Sequence, residues 1–217
     1  MSKKGKTETI LIIDRSGSMS SIKGDMEGGL NAFIEDQKKV EGENYVTYYQ
    51  FDDEFEKVFE LKSIEKVGSI KINPRGMTAL VDAVGRGVNE TISRIERTTE
   101  SEKPEAVLVY IITDGYENAS REYTNDKVKA LIKKAEDDYG FKFMFLGADI
   151  DSFSVGGNWG LDSSKVMNYT KSASGTTGLS ATMSKSATYY RCSVAESNFS
   201  SVADYKITDE DRKEAMK

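Results

Sequence analysis

Two short apolar runs constrain this chain more than anything else in it. Thr9-Ile10-Leu11-Ile12-Ile13 and Ala106-Val107-Leu108-Val109-Tyr110-Ile111-Ile112-Thr113 are apolar without alternation and rich in β-branched residues. A strand that is apolar on both faces has to be covered on both faces, the situation of a central strand in a parallel sheet. Both runs stop at an aspartate, Asp14 and Asp114. Each therefore delivers a carboxylate to the carboxyl edge of such a sheet.

The rest of the chain supplies the covering layers. Ile22, Met26, Leu30, Phe33 and Ile34 recur at helical spacing, as do Val81, Val84, Val88, Ile92 and Ile95. Val128, Leu131, Ile132 and Ala135 predict a third helix, and Leu179, Met183, Ala187, Tyr190 and Val194 a last one. Residues 45–51 and 55–61 alternate as strands, and Asp52-Asp53-Glu54 between them predicts a hairpin turn. Residues 141–146 and 165–170 complete the strands. Residues 149–162, with Gly156, Gly157 and Gly160, read as a loop holding one short helix. Strands alternating with helices predict a doubly wound, Rossmann-like α/β fold: an open, mostly parallel sheet with one antiparallel edge strand and helices on both faces. There is no internal repeat and no linker, so one domain over residues 1–203 is expected, followed by a charged, frayed tail over residues 204–217.

Composition narrows the chemistry. The 217 residues include no histidine, which excludes Ser-His-Asp triads and His-ligated zinc. A net charge of −6 argues against a general nucleic-acid binder. Lys3, Lys4 and Lys6 precede an apolar run far too short for a secretion signal, and the longest apolar stretch falls well below the ~20 residues that span a bilayer. The single cysteine, Cys192, is expected to be buried and inert on the last helix and fits a reducing compartment, so a cytoplasmic location is expected.

In doubly wound sheets ligands bind beyond the carboxyl ends of the strands. There the first run continues as Asp14-Arg15-Ser16-Gly17-Ser18, whose alternation lets one turn point three oxygens inward. The second continues as Asp114-Gly115, and Pro74-Arg75-Gly76-Met77-Thr78-Ala79-Leu80 offers the hydroxyl of Thr78 at a helix entry. Two carboxylates and three hydroxyls are hard oxygen ligands suited to Mg²⁺ or Mn²⁺; Ca²⁺, which wants more oxygens, is less favoured. Each piece alone has a plainer reading. Ser16, Ser18 or Thr78 can cap a helix, and Asp114-Gly115 can be a simple turn.

Taken together these pieces resemble the von Willebrand factor A domain with a metal-ion-dependent adhesion site. Its pattern is Asp-x-Ser-x-Ser after the first strand, a threonine in a separate loop, and an aspartate before glycine after the fourth strand. Here Asp14, Ser16, Ser18, Thr78 and Asp114 fill those positions. The resemblance spans roughly residues 6 to 200 and is nearest the stand-alone bacterial and bacteriophage type. It implies that these five residues hold one cation, Asp114 directly or through water, and that an aspartate or glutamate of a protein partner completes the coordination.

Around the loop, Arg15, Met77, Tyr116, Glu117 and Asn118 are candidates for a partner-binding rim, with Arg121 and Tyr123 beyond them. Arg15 would either pair a partner carboxylate or be solvated. Asp52 and Asp53 read as a solvated turn, Asp149 and Asp151 as loop caps, and Tyr189-Tyr190 as helix packing. Three functions compete. The favoured one is a non-catalytic, metal-dependent binding module; metal-mediated self-assembly is a variant of it. The third is a Mg²⁺-dependent phosphatase or nucleotide-handling enzyme with Asp14 as nucleophile, against which stand the missing phosphate loop, the lack of an evident base, and a serine two residues beyond Asp14.

Overall fold

The computed structural model describes residues 5–196 and 198–217, so Lys3 and Lys4 lie outside the described residues. Six strands form one sheet: β1 (Lys6–Asp14), β2 (Glu43–Phe51), β3 (Phe55–Ser63), β4 (Ala106–Thr113), β5 (Lys142–Gly147) and β6 (Val166–Asn168), in the order β3-β2-β1-β4-β5-β6. All neighbours are parallel except β2 and β3, which pair antiparallel across the Asp52-Asp53-Glu54 turn. The order reverses between β1 and β4, whose register sets Ile13 opposite Ile112. The α/β class, the parallel centre and the antiparallel edge are those the residue pattern predicts.

Alternating residues of β1 serve two separate cores. Leu11 and Ile13 point to the face covered by α1 (Lys23–Lys38) and α5 (Ala173–Ala195). Ile10 and Ile12 point to the face covered by α2 (Leu80–Arg97), α3 (Asn125–Tyr139) and α4 (Ser152–Asn158). All four side chains have no solvent exposure, which is why these runs carry no polar alternation. Burying such side chains is worth about 1.5–3 kcal/mol each. Arg191 of α5, itself buried, donates to the backbone carbonyls of Gln37 (2.5 Å) and Val40 (2.7 Å), satisfying the open end of α1. Burial lowers its pKa to about 10, so it stays charged at neutral pH.

Three expectations are corrected. Residues 204–217 are not a frayed tail. They carry α6 (Asp209–Ala215), which packs Ala215 and the preceding Ile207 into the α1/α5 core. Thr208 and Asp211 close a capping box at its start, and Lys185 of α5 pairs with Asp211 at 2.6 Å. This docking also shortens β6. The Thr170 N–H donates to the Ala215 carbonyl (2.9 Å) at the end of α6, so the strand cannot continue to residue 170. Cys192 is exposed, not buried, because the α5 face it occupies turns away from the sheet. Of the Tyr189-Tyr190 pair, Tyr190 packs as expected, whereas Tyr189 is exposed and lies against the rings of Tyr190 and Tyr205. Among the described residues no helix is long and apolar enough to cross a membrane.

Candidate metal centre

The carboxyl ends of β1 and β4 meet at the point where the strand order reverses, the place where this architecture leaves a crevice. Asp14 ends β1 with no solvent exposure, and Asp114, just past β4, is 2% exposed. Asp14 Oδ2 accepts from the Thr113 hydroxyl (2.6 Å) and Oδ1 from the Ser16 N–H (2.6 Å). Burial is the main cause that raises the Asp14 pKa from 3.8 to about 6; those hydrogen bonds oppose the rise and the nearby Asp114 charge adds to it. Two carboxylates buried this close together are an unfavourable arrangement unless positive charge lies beside them.

The hydroxyls gather at the same spot. Ser16 Oγ and Ser18 Oγ are 3.0 Å apart, and Ser18 donates to Asp114 Oδ1 at 2.5 Å. Gly115 marks the convergence. From the point where a β-carbon at residue 115 would stand, Thr78 Oγ1 is 3.3 Å away, Ser18 Oγ 3.4 Å and Ser16 Oγ 3.9 Å. A β-carbon there would stand in tight contact with the Thr78 hydroxyl and against that of Ser18. The capping alternatives do not hold. Ser16 precedes a short 3-10 turn without a side-chain cap bond, and the position before α2 is Ala79, also without one. Asp114 Oδ2 accepts no well-aligned hydrogen bond among the described residues and instead faces the Lys171 ammonium at 3.0 Å. Hard oxygens on neutral hydroxyls, two buried carboxylates and a buried oxygen without a proper donor fit a small divalent cation. No group of three or more His, Cys, Asp or Glu side chains suited to a metal occurs among the described residues, so the hydroxyls have to supply most of any donor set.

The loops are tied together by charge. Asp52, with no solvent exposure, accepts from Arg15 Nε (2.9 Å) and Arg75 Nε (2.7 Å) through Oδ2 and from the Glu54 N–H (2.6 Å) through Oδ1. Burial pushes its carboxyl up, but these donors outweigh burial and hold it below its usual range. Arg15 is thus neither solvated nor free for a partner: it is buried and paired with Asp52 and Glu56. Asp52 is a buried clamp, not a solvated turn residue. Gly76 takes a left-handed backbone (φ +66°) under Asp53, where a β-carbon would collide with the Asp53 carboxylate.

The rest of the rim divides. Met77 (49% exposed) and Tyr116 (61% exposed) face solvent beside the hydroxyls. Glu117 instead accepts the N–H groups of Val81, Ala119 and Ser120, and Asn118 Oδ1 accepts that of Thr78 (2.8 Å), so both hold the loop in shape. Arg121 is exposed, whereas Tyr123 packs against Gly85 of α2 and the core on that face. Asp151 caps α4, accepting from Ser154 N–H at 3.0 Å. Asp149 does not cap; it pairs with Lys171 at 3.0 Å. A cavity of about 120 Å³ opens beside Gly115 and Tyr116, floored by Val81, Ile150 and Trp159. A wider groove of about 570 Å³ along β3 and α2 is filled with matched charge, Lys57 with Glu60 and Glu90, and Arg94 with Glu60.

Sequence reading gives Lys171, Thr113 and Arg75 no role of their own at this site, and it takes Asp52 for a solvated turn residue and Asp149 for a loop cap where the structure pairs them with Arg75 and Lys171. Lys171 lies three residues past β6, so the carboxyl-edge rule applied to the sixth strand would have placed it on this rim.

No family model matches the sequence, and no curated protein sequence matches it. Solved structures do match in fold, and this is the von Willebrand factor A fold. The ArnB paralog VWA2 from Sulfolobus acidocaldarius shares 14% identity over 85% of this chain and 46% of that one, with a TM-score of 0.55. The von Willebrand factor domain of a type V pilus tip protein from Porphyromonas gingivalis shares 12% identity over 95% of this chain and 99% of that one (TM-score 0.54). The manganese-loaded TRAP protein of Plasmodium vivax shares 16% over 76% and 69% (TM-score 0.51). The chain spans about half the length of several structures it matches.

Proposed function

We propose that the chain is a non-catalytic protein-binding module whose affinity for its partner depends on one divalent cation, Mg²⁺ in the cell. The observation that carries this reading is the gathering of the Ser16, Ser18 and Thr78 hydroxyls around Gly115, between two buried carboxylates at the switch point of the sheet. Asp14 and Asp114 would supply the negative charge, and the three hydroxyls neutral donors that leave the ion short of charge. When bound, the cation offers a Lewis-acidic position to an external carboxylate, from a partner's aspartate or glutamate or from a second copy of this chain. Thr113 and the Ser16 N–H hold the Asp14 carboxylate in one orientation, so little has to be reorganised on binding. The Asp52 clamp does the same for the loop that carries Ser16 and Ser18.

The manganese carried by one protein of this fold supports a divalent metal, and the hydroxyl-rich donor set favours Mg²⁺ or Mn²⁺ over Ca²⁺. Met77 and Tyr116 offer exposed apolar surface where a partner would sit, and the cavity beside Tyr116 has room for one side chain. A cytoplasmic setting belongs to the same reading, since it would keep the exposed Cys192 thiol reduced.

Calorimetric titration of Mg²⁺ into the parent, Asp14→Ala and Asp114→Ala tests the metal, with binding expected in the parent alone and circular dichroism unchanged throughout. The same baits, with Mg²⁺ or EDTA, then test the partner. Retention by the parent alone and only with Mg²⁺ is the expected result. Retention in every condition would place the binding face elsewhere, and Mg²⁺-dependent phosphoryl hydrolysis lost in Asp14→Ala would make the protein an enzyme.

A further inference from the structure

The carboxylate edge of the sheet carries a cation of its own. Lys171 sits in the loop from β6 to α5, and its ammonium stands 3.0 Å from Asp114 Oδ2 and 3.0 Å from Asp149 Oδ2. The two acids differ sharply in setting. The Asp114 side chain has no exposure, that of Asp149 is 69% exposed, and that of Lys171 lies between them at 21%. One ammonium is therefore shared between a buried carboxylate of the candidate centre and a solvated carboxylate on its rim.

A buried carboxylate is tolerated only with a charge partner or a full set of donors. Asp14 has its donors in Thr113 and the Ser16 N–H, but Asp114 Oδ2 accepts no well-aligned hydrogen bond among the described residues. Lys171 supplies the compensating charge. A divalent ion drawn to the same carboxylate would meet a positive charge already in place, and repulsion between like charges is strong where water is excluded. Asp149 makes the ammonium easy to release. Lys171 can leave Asp114 and keep a solvated partner, so it is never stranded as a lone buried charge.

We propose that Lys171 is a built-in counter-cation of Asp114 that competes with the divalent ion, with Asp149 as its alternate partner, and so sets how much divalent ion the centre needs. The proposal rests on the metal-binding reading above. The opposite role is physically distinct: a Lys171 that merely positions Asp114 for the ion would aid binding, and its loss would weaken it.

Mg²⁺ is titrated calorimetrically into the full chain as parent, Lys171→Met, Lys171→Arg and Lys39→Met, the last an exposed lysine paired with Asp36 far from the centre. Lys171→Met is expected to bind Mg²⁺ about tenfold more tightly or better. Lys171→Arg keeps the charge and should stay near the parent, and Lys39→Met should match the parent. Unchanged or weaker binding by Lys171→Met overturns the proposal, and an equal gain in Lys39→Met overturns it by assigning the effect to net charge. Binding in none of the four chains overturns the metal reading and this proposal with it. Binding by Lys171→Met alone supports it. A second readout needs no variant. Acetylation of the parent by a soluble amine-reactive ester, followed by mass spectrometry, should be faster at Lys171 with saturating Mg²⁺ than with EDTA, while Lys39 is unchanged. An equal rate at Lys171 in both conditions overturns the proposal.

Discussion

Asp14 occupies the end of a strand with no solvent exposure at all, and burial lifts its pKa from 3.8 to about 6. Because the folded value lies above the unfolded one, the folded, metal-free protein binds this proton more tightly than the unfolded chain does. The stability this contributes is complete below about pH 4 and is lost as the pH rises through about 6. Above that window the ionised carboxylate is a burden, on the order of 1–3 kcal/mol for a shift of this size. Asp14→Asn keeps the shape and can still accept from Ser16 and meet the Thr113 hydroxyl. In EDTA at pH 8 it should therefore unfold at higher urea than the parent, with the advantage shrinking to nothing near pH 4. With Mg²⁺ the order should invert, because only the parent gains from the ion. A variant less stable than the parent in EDTA at pH 8 would mean that the Asp14 charge is already compensated without metal. Asp14 was legible in the sequence because an apolar strand that ends in a carboxylate is a local pattern. Asp52 was not: its acidic turn looks solvated until Arg15 and Arg75 arrive from two other loops, and no periodicity predicts that meeting.

At the scale of elements, the strands and the long helices could be read because each buries an apolar stripe. The α6 helix could not, because Asp209-Glu210-Asp211-Arg212-Lys213-Glu214 has no stripe to read. Its anchors are polar and tertiary, with Ala215 as its one buried apolar side chain. The capping box of Thr208 and Asp211 was the available signal. Burial pushes the Asp211 carboxyl up, but Lys185 and the Thr208 N–H and hydroxyl outweigh burial and hold it below its ordinary 3.8. A carboxyl lowered by folding stabilises the protein above its unfolded value, and that contribution is lost as the pH falls through the folded one. Asp211→Ala should thus cost about 1–2 kcal/mol at pH 7, the range of a lost cap, and the difference should vanish in strong acid. Urea unfolding of both chains at pH 7 and in acid measures this directly. Equal stability at pH 7 would show residues 204–217 to be as loose in solution as their composition implies.

At the scale of the whole molecule, the candidate centre is where the fold's geometry and its charge arrangement coincide. Asp14 arrives from β1, Asp114 from β4 and Thr78 from the entry to α2, and these elements come together only in the folded chain. The unfolded chain has no such constellation, so a cation that binds here binds the native state alone and must stabilise it by mass action. At a free Mg²⁺ concentration of about 100 times the dissociation constant the gain is about 2.7 kcal/mol. For a domain of this size each kcal/mol moves the unfolding midpoint by roughly 2–4 °C. Thermal unfolding followed by circular dichroism should then show a rise of about 5–10 °C with Mg²⁺ over sodium chloride of matched ionic strength. Asp14→Ala and Asp114→Ala should show no such rise. The matched salt matters because the net charge is −6, and any added salt relieves self-repulsion whether or not a specific site exists. A rise of the same size in the parent and in both variants would assign the effect to screening, and the gathered hydroxyls around Gly115 would then be a packing arrangement without an ion.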